Sequence, residues 1–265
     1  MLVIGYILTA LVGVSLGLIG GGGSILMVPI LVYIFTFNPL LATSYSLFVV
    51  GSTSLVGAVN NYRKGLVSTK TALLFGLTSI TTVFLTRQFI VHAIPDVLFS
   101  MGRFEVKQSM VIMVLFAMLM LMASVAVIGN KNGVPQSDEK LSSGSTSKLF
   151  LYGILVGLAT GFLGAGGGFL IIPALVLILK MPMKMAVGTS LLIIALNSLI
   201  GFTGDLAHIT MDWKFLLIIT AIAIVGIFIG GALAKKMAGH KLKKGFGWFI
   251  LVMGIYIIIK EMLLK

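Results

Sequence analysis

The sequence predicts an all-α polytopic membrane protein made of two homologous, inverted halves, each with one glycine-broken helical segment and three membrane-spanning helices, eight to ten membrane helices in all. Three observations predict it. Charge is scarce: 58% of the 265 residues are hydrophobic and 10% are charged, with a mean hydropathy of +1.16, whereas a soluble domain carries about 25% charged residues. The uncharged runs have membrane length. No Asp, Glu, Lys or Arg occurs from Met1 to Tyr62, and further runs cover 71–86, 108–130, 149–179, 185–204, 215–234 and 245–259; a helix crosses a bilayer with about 20 mostly apolar residues. Finally, the chain repeats itself at a constant offset of 144 residues. Backbone amides in lipid must be bonded within the protein, which leaves helices or closed barrels, and the alternation of barrel strands is absent.

The elements follow in order. Residues 1–37 form a long apolar segment interrupted by Gly20-Gly21-Gly22-Gly23, followed by spans near 40–60, 70–91 and 109–129. Residues 149–179 form the second long segment, interrupted by Gly164-Ala165-Gly166-Gly167-Gly168, followed by spans near 185–204, 213–234 and 245–260. Each glycine costs a helix interior about 1 kcal/mol relative to alanine, so both long segments are expected to break. Residues 13–57 align without a gap on 157–201 with 16 identities in 45 positions, including six glycines and the pair Pro29 and Pro173. An offset of this size is the scale of a duplicated half-transporter. The expected units are therefore a first repeat 1–129, a polar cytoplasmic linker 130–148 and a second repeat 149–265. The linker holds Asn130-Lys131-Asn132-Gly133, Asp138-Glu139-Lys140 and Ser142-Ser143-Gly144-Ser145, a composition that stays solvated and flexible.

Loop cations orient the chain. If each broken segment returns to its starting side or crosses twice, 13 loop cations fall on one side and 5 on the other; if each crosses once, the split is 9 against 9. Cytoplasmic loops concentrate Lys and Arg, so the first solution is expected, and it gives each half an odd number of crossings and opposite orientations. The net charge of +12 is then a topology signal. No basic stripe or base-stacking platform points to nucleic acid. The N-terminus lacks a basic region ahead of its apolar run, unlike a cleavable signal peptide. Cysteine is absent, which excludes disulfide and thiolate chemistry.

Chemistry is expected at the glycine breaks. A broken helix exposes unbonded backbone N–H groups and the positive end of the following half-helix, both suited to an anion. Gly20, Gly21, Gly22 and Gly23, with Gly164, Gly166 and Gly167, are the backbone candidates. Gly13, Gly17, Gly157 and Gly161 have the four-residue spacing of close helix packing. Ser46 and Ser54 lie two turns apart on one helical face, and Ser190 and Ser198 repeat them. Ser46, Thr189, Ser190 and Asn197 are the side-chain candidates; interhelical hydrogen bonding is the competing use of such residues. Arg87, His92, Asp205 and His208 are ionisable residues at span ends, where they are often functional. Arg87 could snorkel to the interface or hold an anion, and Asp205 and His208 read as loop residues. No metal-ligand cluster, Ser–His–Asp set or cofactor motif lies within the spans, so neither an enzyme nor a cofactor is expected.

The run Gly157-Leu-Ala-Thr-Gly161-Phe-Leu-Gly164-Ala-Gly166-Gly167-Gly168-Phe-Leu-Ile-Ile-Pro173, continued by Ala186-Val-Gly188-Thr189-Ser190-Leu191, resembles the glycine-rich signature of the TauE/SafE family. Ala42-Thr-Ser-Tyr-Ser46-Leu47 is its first-half copy, with Tyr45 where the second half has Thr189. The resemblance covers nearly the whole chain. It implies a secondary transporter in the cytoplasmic membrane for sulfite, a sulfonate, thiosulfate or a related small anion, with a proton or other ion as a candidate coupling partner. A passive anion channel built from the same broken helices, or a membrane protein with no transport role, is the alternative.

Overall fold

The computed structural model describes residues 2–91, 93–95, 97–101, 104–129, 145–164, 166–177, 179, 181–206, 208–234, 248 and 251–261. In chain order the helices are α1 (Leu2–Ile19), a 3-10 turn (Gly22–Leu26) leading into α2 (Met27–Tyr33), α3 (Pro39–Tyr62), α4 (Thr69–Leu85) continued by a π-helical turn (Thr86–Val91), α5 (Gln108–Gly129), α6 (Ser145–Leu163), α7 (Gly168–Leu177), α8 (Met183–Thr203), α9 (Trp213–Leu233) and α10 (251–261). The protein is an all-α polytopic membrane protein, and five of these helices are long and apolar enough to cross a bilayer. Two details differ from the sequence reading. The connection between α4 and α5 carries a short antiparallel hairpin, β1 (Val97–Met101) and β2 (Phe104–Lys107), where only a loop was expected. Helix α6 also begins at Ser145, inside the expected linker; residues 130–144 lie outside the described set.

Both long segments break where expected, and the first turns back. Gly20 and Gly164 end their helices with positive φ, +80° and +64°, a conformation that costs other residues about 1–2 kcal/mol. A Cβ on Gly23 would lie 2.6 Å from the Val12 carbonyl oxygen, which a straight helix would leave about 16 Å away. At the other end of the hairpin, Phe35 packs on Tyr6 with ring centroids 5.8 Å apart. In the second segment, Gly167 returns against Thr160 and Val156 in the same way.

Helix α3 starts cleanly because Pro39 follows Asn38, whose side chain accepts the Leu40 N–H at 2.9 Å, a standard N-cap. Asp212 caps α9 through the Phe215 N–H at 3.1 Å. Helices α3 and α8 form the buried centre, and they run antiparallel: Leu47 meets Gly201, Gly51 meets Leu199 and Gly57 meets Leu191. The contacts α1–α9 and α6–α4 flank this pair, with Gly13 against Ala223 and Gly157 against Ser79. These contacts come in twos related by the 144-residue offset: Gly20 on Val187 and Gly164 on Thr43, or Gly57 on Ile227 and Gly201 on Val83. Each broken segment thus packs on a span of the other half. Outward faces of α1 and α9 stay apolar and exposed, among them Ile7, Leu11, Val225 and Phe228, as a lipid-facing surface requires.

Candidate functional site

The two breaks meet in the middle of the molecule. A Cβ on Gly21 would lie 2.8 Å from the Gly168 carbonyl oxygen, and one on Gly168 would lie 2.6 Å from the Gly21 carbonyl oxygen. Only backbone without side chains can cross at this separation. Gly166 faces Val50, Ile194 and Ser198, so the second break also abuts α3 and α8. The antiparallel contacts of these helices centre on Thr53 and Asn197, which occupy the same position in the repeat.

Buried polar atoms concentrate around that centre. Thr53 Oγ1, Ser54 Oγ, Ser198 Oγ, Asn197 Nδ2, Ser46 Oγ and Thr160 Oγ1 have no partner among the described residues, and their residues are at most 1% exposed. Such atoms are rare in folded proteins, and each needs an explanation. Asn197 is held in place by its other end, since Oδ1 accepts the Ser79 hydroxyl at 2.9 Å. Its Nδ2 donor is left over.

The predicted side chains separate into different tasks. Ser190 donates to the Gly20 carbonyl at 2.9 Å, which ties α8 to the first break. Thr189 accepts the Ser68 backbone N–H at 2.9 Å, so its hydroxyl anchors the start of α4. Ser46 and Asn197 retain unpartnered atoms near the breaks. Thr53, Ser54, Ser198 and Thr160 were not singled out as ligands; the signal that reveals Thr53 is its alignment with Asn197, one residue ahead of the matched serines.

Arg87 and Asp205 behave differently from the sequence reading. Arg87 does not snorkel: it is fully buried in the π-helical turn and its Nη1 bonds Asp205 Oδ2 at 3.1 Å, both side chains 0% exposed. π turns inside α-helices are frequent at functional sites. Asp205 follows α8 in a turn, as a loop residue would, yet it is buried and also accepts the Ser44 hydroxyl. His208 is exposed and its backbone N–H donates to the Asp205 carbonyl at 3.0 Å. His92 lies outside the described residues.

Residues 6–257 match the family described as Sulfite exporter TauE/SafE. The chain belongs to the TauE/SafE family. A "Probable membrane transporter protein" of Xylella fastidiosa (strain 9a5c) is 31% identical over 252 residues, covering 94% of this chain and 91% of the relative. "Probable membrane transporter protein YunE" of Bacillus subtilis (strain 168) is 28% identical over 249 residues, covering 89% of each. No solved structure matches. The family, its transporter relatives and the apolar helices together make this TauE/SafE protein a multi-pass integral membrane protein of a transport family.

Proposed function

We propose that the protein is a secondary transporter that moves a small sulfur-containing oxyanion, such as sulfite, thiosulfate or a sulfonate, by alternating access. The observation that carries this reading is the crossing of two glycine breaks beside a cluster of buried, unpartnered hydroxyl and amide groups. Backbone N–H groups at the breaks, Gly20 to Gly23 with Gly164, Gly166 and Gly167, supply partial positive charge without an unpaired mid-bilayer lysine or arginine, which would cost at least about 2.5–3.5 kcal/mol. Thr53, Ser54, Asn197 and Ser198, with Ser46, hold the remaining polar contacts. Such donors suit a tetrahedral or pyramidal anion that must also leave again.

The antiparallel packing of the equivalent helices α3 and α8 supports halves of opposite orientation, and inverted repeats place their substrate between broken helices near the midplane. Interlocked halves can rock about that centre and open one side at a time. The chemistry required is binding and release, with no bond made or broken. The decisive experiment is flux of sulfite, thiosulfate and taurine in proteoliposomes under imposed pH and voltage gradients. Saturable flux with counterflow is expected. Unsaturable electrogenic flux identifies a channel, and no flux of any of the three refutes the reading.

A further inference from the structure

The buried ion pair has more donors than its carboxylate uses. Arg87 spends Nη1 on Asp205, while Nε and Nη2 have no partner among the described residues although the residue is fully buried. These two nitrogens form one edge of the guanidinium, the edge that accepts an oxyanion through two parallel hydrogen bonds. The pair flanks the second broken segment on two sides. Thr86, next to Arg87, packs on Gly161, and Thr43, next to Ser44, packs on Gly164. Asp205 is faced by Arg87 from the π turn and by Ser44 from α3, with His208 following in its own turn.

We propose that Arg87 and Asp205 form a proton-linked anion subsite: a small oxyanion binds the Nε–Nη2 edge of Arg87 while Asp205 takes up one proton. This inference rests on the anion-transport reading. With Asp205 ionised, the pair is neutral. A thiosulfate dianion on the free edge then sets three negative charges against one cation in a buried site, which is unfavourable at short range. A proton added to the Asp205 carboxylate removes one of those negative charges, and the carboxyl group still bonds Arg87 and Ser44. Binding of anion and proton are then mutually favourable, and the linkage is reciprocal.

The test uses the full chain in proteoliposomes loaded with a pH-sensitive dye, radiolabelled thiosulfate outside, and the voltage held at zero by potassium and valinomycin. Thiosulfate does not titrate near neutral pH, so any proton that moves is carried by the protein. The wild type is expected to accumulate thiosulfate about tenfold per unit of inward pH gradient, the value for one proton per anion, with acidification inside. Asp205→Asn, which mimics the protonated carboxyl, is expected to lose both the gradient-driven accumulation and the dye signal. Ser44→Ala removes a donor that favours the carboxylate, so the pH midpoint of flux moves upward. Wild-type-like accumulation and dye signal in Asp205→Asn overturn the inference. If that variant does not reach the membrane, an unmoved midpoint in Ser44→Ala overturns it. Thiosulfate flux without proton movement in the wild type also overturns it and leaves anion transport standing, whereas absence of any anion flux defeats the transport reading itself.

Discussion

The far ends of α3 and α8 occupy equivalent positions under the 144-residue offset and are built from opposite chemistry. Beside the second break, the turn after α8 carries Asp205, bonded to Ser44 and Arg87. Beside the first break the same three positions are Asn61, Gly188 and Gly231. Asn61 donates to the Gly57 carbonyl of its own helix at 2.9 Å, and Gly188 packs against the Leu66 carbonyl. One end is a buried charge cluster across three elements, and the other is a neutral, locally satisfied helix end that continues into the exposed Arg63-Lys64 turn. At these three positions, then, a duplicated scaffold holds two similar breaks with one ionisable and one neutral flank. If the halves are inverted and Asp205 takes up a proton as proposed, that asymmetry gives the two sides of the membrane different responses to pH, while the backbone crossing between them stays nearly symmetric.

The most complete contrast is topological. If the halves are inverted, the turn after α3 and the turn after α8 lie on opposite sides. The chain has no cysteine, so Lys64→Cys and His208→Cys each provide a single label site on an exposed residue. An impermeant thiol reagent outside intact cells is expected to label His208→Cys fully and Lys64→Cys not at all. Equal labelling of both removes the inverted arrangement and with it the assignment of one flank to each side.

Stability separates the two flanks next. Arg87→Met leaves the Asp205 carboxylate buried without its cation, a loss of about 3–5 kcal/mol for a buried pair. Asn61→Leu removes one side-chain hydrogen bond to backbone, worth about 0.5–1.5 kcal/mol. Thermal unfolding in detergent, followed by monodisperse recovery, is expected to rank them in that order. The double variant Arg87→Met, Asp205→Leu is expected to recover most of the loss, since paired replacement of buried charges by apolar groups is often neutral. A double variant as unstable as the single one would show that other contacts of Asp205 dominate.

The breaks themselves differ more subtly. Gly164→Ala adds a Cβ against Thr43, with the Thr43 carbonyl oxygen at 2.5 Å and its Cα at 2.6 Å. Gly20→Ala meets first the Cγ1 end of Val187. Both also carry the strain of positive φ, about 1–2 kcal/mol. Backbone cannot move aside as a side-chain end can, so Gly164→Ala is expected to be the more damaging by about 1 kcal/mol. Val187→Ala is expected to rescue Gly20→Ala in the same unfolding assay, and a failure to rescue would place the strain in the turn alone.

Much of this architecture was legible because lipid leaves few options. Span positions, both breaks and the pairing of Ser46 with Ser190 follow from runs without charge and from glycines in register. The packing role of Gly13 and Gly157 was legible as well, since four-residue spacing predicts close approach, and both abut backbone atoms of a partner helix. The site was less legible. Nothing in local sequence tells that Thr189 spends its hydroxyl on the Ser68 N–H, because the partner lies 121 residues away. The pairing of Arg87 with Asp205 is hidden for the same reason: both sit at span ends, where snorkelling and loop placement are the ordinary fates, and only tertiary packing brings 87 beside 205. The hairpin of β1 and β2 was missed because its short strands border an apolar helix and carry no turn signal stronger than Gly102.

The smallest effect separates two serines that the repeat makes equivalent. Ser190 donates to the Gly20 carbonyl and to the Val187 carbonyl, each at 2.9 Å. Ser46, its counterpart, is equally buried and has no partner among the described residues. Ser190→Ala therefore removes a bond that holds the first break against α8 and leaves the Gly20 carbonyl short of a donor. A cost of about 0.6 kcal/mol is expected for a typical interhelical contact in a membrane protein. Ser46→Ala removes a hydroxyl whose desolvation the folded protein does not recover, so it is expected to leave unfolding unchanged or slightly raise the midpoint. The order reverses if the hydroxyl serves the anion: Ser46→Ala is expected to raise the concentration of thiosulfate that half-saturates flux by about threefold to tenfold, the loss of one hydrogen bond of about 0.5–1.5 kcal/mol. Ser190→Ala is expected to change that concentration less and the unfolding midpoint more. The same response from both serines in both measurements would mean that Ser46, too, is only a packing residue, and that the polar contacts to the anion lie deeper, at Thr53 and Asn197.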